Sequence, residues 1–189
     1  MEKEPILGES VYLLHGFLSP DACAGFMDAS EQAGYEDAPI NTSFGPMLRK
    51  DVRNNERLII DNVELAASWF ELAGPYLPQT IGQWSLVGLN ERFRFYRYDP
   101  GQSFKRHYDG SYFRPNGDQS LVTFMVYLND GYEGGTTDFF HSDDRLKARV
   151  HPRQGSALVF EHQLLHEGTP VVSGRKYVLR TDVMYRRKR

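Results

Sequence analysis

The sequence predicts a mainly β fold of barrel or jelly-roll type, with two helices confined to its first half. Helical periods fade from Leu86 onward, and strand patterns separated by short Gly- and Asn-bearing turns replace them. Aromatic content is 13%, with 12 Phe and 11 Tyr, side chains that suit a pleated, half-buried surface. Both helix-start signals, Ser19-Pro20 and Asp61 to Glu64, lie in the first half of the chain. The 189 residues, 40% of them hydrophobic, suffice for one full core and are too few for two. A single domain over 1–189 follows, with helical support over about 1–85 and a strand core over about 86–189.

Val11 to Phe17 reads as a short strand. Ser19 is a helix N-cap with Pro20 at the first helical position, and the helix should run to about Ala33 and stop at Gly34. His15, beside the strand end, reads as a surface or capping residue. Glu36 to Asn55 is polar, with Pro39, Gly45 and Pro46 breaking any period, and reads as a long irregular binding loop. Its end, Asp51 to Arg57, is dense in hydrogen-bonding groups, so Asn54, Asn55 or Arg57 could reach a substrate. The strand Arg57 to Ile60 follows. Asp61 with Glu64 has capping-box spacing and opens a helix to about Ala73, which Gly74-Pro75 ends.

Strands then succeed one another. Arg92 to Tyr98 alternates, placing Arg92, Arg94, Tyr96 and Tyr98 on one face and Phe93, Phe95 and Arg97 on the other. Leu121 to Asn129 reads as a buried strand. Thr136 to Phe140, Gly155 to Phe160, His162 to Gly168 and Lys176 to Tyr185 complete the set.

Composition excludes several classes. The formal net charge of −3 gives no signal for nucleic acid, and the basic end Arg186 to Arg189 reads as a solvated tail. The one cysteine, Cys23, rules out an internal disulfide and a Cys-rich zinc site, and falls where a helix would bury it. No apolar run approaches a membrane span, and the start lacks the order of a signal peptide. A cytoplasmic protein without nucleic-acid or membrane partners is expected.

The chemistry centres on Arg92 to Asp109, a strand, a Pro-Gly turn and a second strand ending in His107-Tyr-Asp109. Alternate residues of a strand share a face, so His107 and Asp109 should grip one ion together. His166, on a later antiparallel strand, completes two imidazoles and one carboxylate, the ligand set of non-haem Fe(II) oxygenases. If 2-oxoglutarate is the co-substrate, its far carboxylate needs a buried cation. Lys176, ten residues beyond His166, supplies one, with Tyr98 and Tyr127 as hydroxyl partners. Arg180 shares the strand face of Lys176 and is the competing anchor. His162, His141 and His151 read as polar residues of turns rather than ligands.

Tyr98-Asp-Pro-Gly-Gln102 with His107-x-Asp109, Tyr127-Leu-Asn129, Gly134-Gly-Thr136, His166-Glu-Gly-Thr-Pro170 and Gly174-Arg-Lys176 resemble the prolyl 4-hydroxylase-like Fe(II)/2-oxoglutarate dioxygenases. The resemblance spans Arg94 to Tyr185, with a similar entry at Phe17 to Cys23. It implies a double-stranded β-helix (jelly-roll, cupin-like) core with N-terminal buttressing helices, an α+β arrangement. It carries iron to His107, Asp109 and His166, the distal carboxylate of 2-oxoglutarate to Lys176, and further contacts to Tyr127 and Tyr98. The implied reaction is hydroxylation with release of succinate and CO2, using Fe(II), 2-oxoglutarate and O2, with ascorbate as a supporting reductant.

The substrate is a small molecule or a protein or peptide, such as a prolyl residue. Arg94 and Tyr96, inward with Tyr98, together with Asn55 and Arg57, are the candidate substrate contacts; the alternative for Arg94 is an ion pair inside the barrel mouth. Two rival functions are a non-catalytic metal- and 2-oxoglutarate-binding sensor and a zinc hydrolase on the same three ligands.

Overall fold

The computed structural model describes residues 1–42 and 45–188. An antiparallel sheet runs in the order Glu2–Pro5, Val11–His15, Ala157–Glu161, Gln119–Tyr127, Lys176–Arg187, Arg92–Tyr98, Glu56–Asp61 and Glu36–Asp37. The strand Trp84–Leu89 pairs with the far end of Lys176–Arg187. A smaller antiparallel sheet, in the order Phe104–His107, His166–Gly168, Thr137–Phe140 and Leu146–Val150, carries both candidate ligand histidines. The fold is mainly antiparallel β with helices against one face, in keeping with a jelly-roll core.

The large sheet is buried on both faces because its strands alternate between two apolar clusters. Phe93, Phe95, Phe124, Val126 and Leu179 pack outward under the helices, with Trp69 and Phe17 among them. Trp69 meets the rings of Phe17 and Phe93 edge-on at 4.9 and 5.2 Å. Tyr96, Tyr98, Tyr127, Leu158 and Val178 point the other way, toward Phe139 and Val171. The alternation expected over Arg92–Tyr98 is thus observed.

The first helix, α1, spans Pro20–Ala33; Ser19 caps it by accepting from the Ala22 amide, and Gly34, at φ 87°, ends it. Cys23 is buried on this helix. The second, α2, spans Val63–Ala73, and here the sequence reading is corrected. Its N-cap is Asn62, whose Oδ1 accepts from the Leu65 amide, and not Asp61. Asp61 is still in the strand, where it receives a bidentate pair from Arg92.

Other boundaries also move. Glu36 to Asn55 is not a featureless loop: Glu36–Asp37 pairs with the sheet, and Ile40–Thr42 forms a hairpin with Gly45–Met47. Segments of two or three residues are too short to show a period. The charged stretch Ser142 to Arg145 is the tip of a hairpin whose return strand, Leu146–Val150, alternates apolar with basic residues over only five positions and was not singled out from the charged turn. The basic end is not wholly a solvated tail, since Arg186 and Arg187 pair with Ser85 and Trp84 and Arg186 binds Asp118; Arg189 lies outside the described residues. Among the described residues no helix is long and apolar enough to cross a membrane.

Candidate active site

Antiparallel pairing sets His107 directly opposite His166, with a register shift between Phe104 and His107. Asp109 is not on the strand, which ends at His107. The chain leaves the ladder there, and the Asp109 amide donates to the His162 carbonyl. That turn still returns the carboxylate to the two imidazoles. One ligand atom from each of His107, Asp109 and His166 lies within 4.8 Å of the others. Asp109 Oδ1 is 3.7 Å from His107 Nε2, and its Oδ2 is 3.8 Å from His166 Nε2.

The surroundings fix both ring tautomers. His107 Nδ1 is 2.7 Å from the Lys105 carbonyl, and His166 Nδ1 is 2.9 Å from the Leu164 carbonyl. A carbonyl only accepts, so each Nδ1 carries the proton and each Nε2 turns a lone pair toward the centre. Burial pushes the His166 pKa down to about 4, with the neighbouring charges of His107 and Arg180 adding to it against the pull of Asp109. Phe104 stacks on the His107 ring at 3.5 Å and holds its plane. These donors, two imidazole nitrogens and one carboxylate, fit a divalent transition metal.

Asp109 is itself held from behind. Its Oδ2 accepts from Thr123 Oγ1 at 2.5 Å and its Oδ1 from Arg180 Nη1 at 2.8 Å. Burial alone would raise this carboxyl, but Arg180, His166 and His107 outweigh it and hold it well below the usual range. Arg180 also donates to Asp182 Oδ1 at 3.0 Å, and Arg94 donates to Asp182 Oδ2 at 2.9 Å. His162 is buried behind this group, with Nε2 3.7 Å from Asp182 Oδ1, and takes no place among the three candidate ligands.

Lys176, Tyr98 and Arg180 line one narrow cavity with the three candidate ligands, about 40 Å³ in size. The register explains this, since Lys176 faces Tyr98, Val178 faces Tyr96 and Arg180 faces Arg94 across two neighbouring strands. Lys176 is buried and its ammonium donates to the Gly135 carbonyl at 2.7 Å. Burial alone lowers its pKa to about 7. Tyr127 does not line the cavity; its hydroxyl is paired with Thr137 Oγ1 at 2.7 Å, and Thr137 lines it instead.

The candidate substrate contacts divide. Arg57, Arg94 and Tyr96 line a wider cleft at the mouth. Asn55 does not: it is buried, accepting from Arg53 Nε and donating to the Glu56 carbonyl. Asn54 instead accepts from the Ser103 amide. Arg94 takes the ion pair the sequence offered as its alternative. Sequence reasoning missed Thr123, Asp182 and Arg53. Thr123 and Asp182 face each other across two strands, a register unknown before those strands were paired. Arg53 is buried flat between the rings of Tyr96 and Phe104, 4.5 and 4.4 Å from their centroids. Its place in a charged stretch gave no hint of burial.

The fold and the three facing donors define a jelly-roll site of the two-imidazole, one-carboxylate kind. Residues 93–181 match the family model of the 2OG-Fe(II) oxygenase superfamily. Prolyl 4-hydroxylase 1 of Arabidopsis thaliana is 25% identical over 190 residues, covering 88% of this chain and 66% of its own length. The chain therefore spans about two thirds of that relative. Among solved structures, the 2OG complex of the viral collagen prolyl hydroxylase from Paramecium Bursaria Chlorella virus-1 superposes with TM-score 0.63. It is 24% identical, over 94% of this chain and 97% of that one. A Trichoplax adhaerens prolyl hydroxylase, in complex with a hypoxia inducible factor peptide fragment, gives TM-score 0.71 at 16% identity over 93% of this chain and 83% of that one. Both superpositions speak for the fold.

Proposed function

We propose that this chain is an Fe(II)- and 2-oxoglutarate-dependent hydroxylase acting on a prolyl residue or a small molecule. One observation carries the reading: the facing donors His107, Asp109 and His166 share a buried cavity with the ammonium of Lys176. A zinc hydrolase would have no use for the buried lysine, and a sensor of 2-oxoglutarate would bind through the same groups without turnover. The reaction balances as R–H plus 2-oxoglutarate plus O2 giving R–OH, succinate and CO2.

His107, Asp109 and His166 would hold the metal, which when bound supplies the one-electron and O2 chemistry that side chains lack. The two backbone carbonyls hold a proton on each Nδ1 and so aim each Nε2 at the centre. Arg180 and Thr123 keep Asp109 ionised and fixed in direction. Lys176 turns from the Gly135 carbonyl to the distal carboxylate of 2-oxoglutarate, with Tyr98 beside it. Arg180, already committed to two carboxylates, is the poorer anchor. Phe104, Phe160 and Val178 keep the cavity dry. A cytoplasmic setting agrees with one buried free cysteine.

Succinate formation from 2-oxoglutarate tests this, with Fe(II) or Zn(II) supplied and prolyl peptides and free amino acids as substrates. Turnover with Fe(II) and none with Zn(II) or with Asp109→Ala supports the hydroxylase. Turnover of a hydrolysable ester with Zn(II) alone would favour the hydrolase.

A further inference from the structure

The cleft outside the cavity has a volume of about 420 Å³, in the range of sites that bind a ligand rather than a water cluster. Arg53, Arg57, Arg94 and Arg180 line it. Tyr108, between the candidate ligands His107 and Asp109, and Tyr112, on the loop that follows them, also line it. Four guanidinium groups here meet three carboxylates. Asp182 receives both Arg94 and Arg180, Asp109 receives Arg180, and Glu36 receives Arg57. Asp109 belongs to the metal centre on the reading above, so its charge is answered there. Among the described residues Arg53 has no carboxylate partner, its Nε binding only the Asn55 amide oxygen. Its Nη2 is buried without a partner.

Reach as well as charge points outward. Arg57 gives only its Nε to Glu36, at 3.2 Å, and among the described residues its two terminal nitrogens make no hydrogen bond to the protein. Arg94 gives only Nη1 to Asp182. The two stand on adjacent strands of the large sheet, Arg57 opposite Tyr96 and Arg94 opposite Ile59, so their free ends reach the same cleft. A concave surface lined by one sign of charge focuses its potential and draws the opposite sign. Planar guanidinium groups match carboxylate oxygens in pairs.

Resting on the hydroxylase reading, we propose that the substrate carries a carboxylate close to the carbon that is hydroxylated. Arg57 and Arg94 bind it, and Arg53 acts as a fixed positive charge beneath Tyr96. An acidic side chain beside a proline in a peptide supplies that group, and so does the carboxylate of a free amino acid.

The test uses full-length protein loaded with Fe(II) and 2-oxoglutarate. Peptides with one proline, and with Glu, Gln or Lys at each flanking position in turn, are titrated calorimetrically under nitrogen, alongside L-proline and L-prolinamide. The same compounds are then incubated in air and scored for succinate and for gain of one oxygen atom. The expected result is binding of a Glu peptide about tenfold tighter than its Gln counterpart, with the Lys peptide weakest. The preference should shrink with added salt. Arg57→Glu should invert the order and Arg57→Lys should restore it. Preference for L-proline over prolinamide, without discrimination among peptides, would locate the carboxylate on a free amino acid. Equal binding of all the compounds by wild type and by Arg57→Glu would overturn the proposal. Succinate formed without charge preference would sink it and leave the hydroxylase. Charge preference under nitrogen with no succinate in air would sink the hydroxylase and leave the anion site.

Discussion

Arg180 donates to the Asp109 carboxylate at 2.8 Å and to Asp182 at 3.0 Å, so one guanidinium joins the candidate metal centre to a second buried acid. Asp182 also takes Arg94 and lies near His162, and Arg180, His162 and Arg94 together hold its pKa well below the ordinary carboxylate range despite burial. An acid with a depressed folded pKa stabilises the fold above its unfolded value of about 3.9. That contribution disappears as pH falls toward the folded value. Stability should therefore drop steeply below about pH 4. Asp182→Asn should cost about 3–5 kcal/mol at pH 7, because it leaves buried guanidinium charge unanswered. It should also flatten the acid limb; urea midpoints from pH 2.5 to 7 decide this, and an unchanged limb would assign the acid sensitivity to other groups.

Lys176 has the opposite sign. An unfolded lysine titrates at about 10.4 and the buried one at about 7, so the unfolded chain binds more protons between these values. Stability from this group rises with pH over that window, and the rise should vanish in Lys176→Met. Lys176→Ala should raise the KM for 2-oxoglutarate by about tenfold to more than a hundredfold, the loss of a charge-assisted contact of about 1.5–3 kcal/mol. If Arg180→Ala has that effect and Lys176→Ala does not, the anchor is Arg180.

Gly135 gives the lysine its room. Its φ is +61°, and a Cβ there would stand 2.9 Å from Tyr132 Cε2 and 3.2 Å from Lys176 Cδ. Gly135→Ala should destabilise the protein by about 1–3 kcal/mol and raise the KM for 2-oxoglutarate while metal affinity stays unchanged. Isothermal titration with Co(II) and with 2-oxoglutarate separates the two effects.

The cap of the second helix offers a test remote from the site. Asn62→Ala should cost about 1 kcal/mol through loss of the bond to the Leu65 amide. Asp61→Ala should cost no more than about 1 kcal/mol, since its pair with Arg92 is half exposed. Thermal unfolding of both variants ranks them, and the reverse order would return the cap to Asp61.

The adjacency of Asp61 and Asn62 also illustrates what the sequence could reveal. Both are good caps, and only strand pairing through Asp61, opposite Arg92, decides between them. Alternation over Arg92–Tyr98 was legible because both faces of that strand meet packed layers. His107 and His166 were legible from motif order, and antiparallel pairing then sets them opposite each other. Asp109 reaches the same centre by another route, a turn off the strand end, since two-residue spacing suits both geometries. Thr123, Asp182 and Arg53 stayed hidden because their role depends on which strands are neighbours. A buried arginine between two rings has the same local sequence as an exposed one.

The balance of the proposed reaction makes its central claim measurable with labelled oxygen. One atom of O2 must enter succinate for each CO2 released, because 2-oxoglutarate has one oxygen fewer than succinate and CO2 together. The purified protein, supplied with Fe(II), 2-oxoglutarate and 18O2, should yield succinate carrying one 18O, and Asp109→Ala should yield none. Tight binding of Fe(II) and 2-oxoglutarate without labelled succinate, with every substrate tried, would contradict the account and make this protein a sensor of its co-substrate.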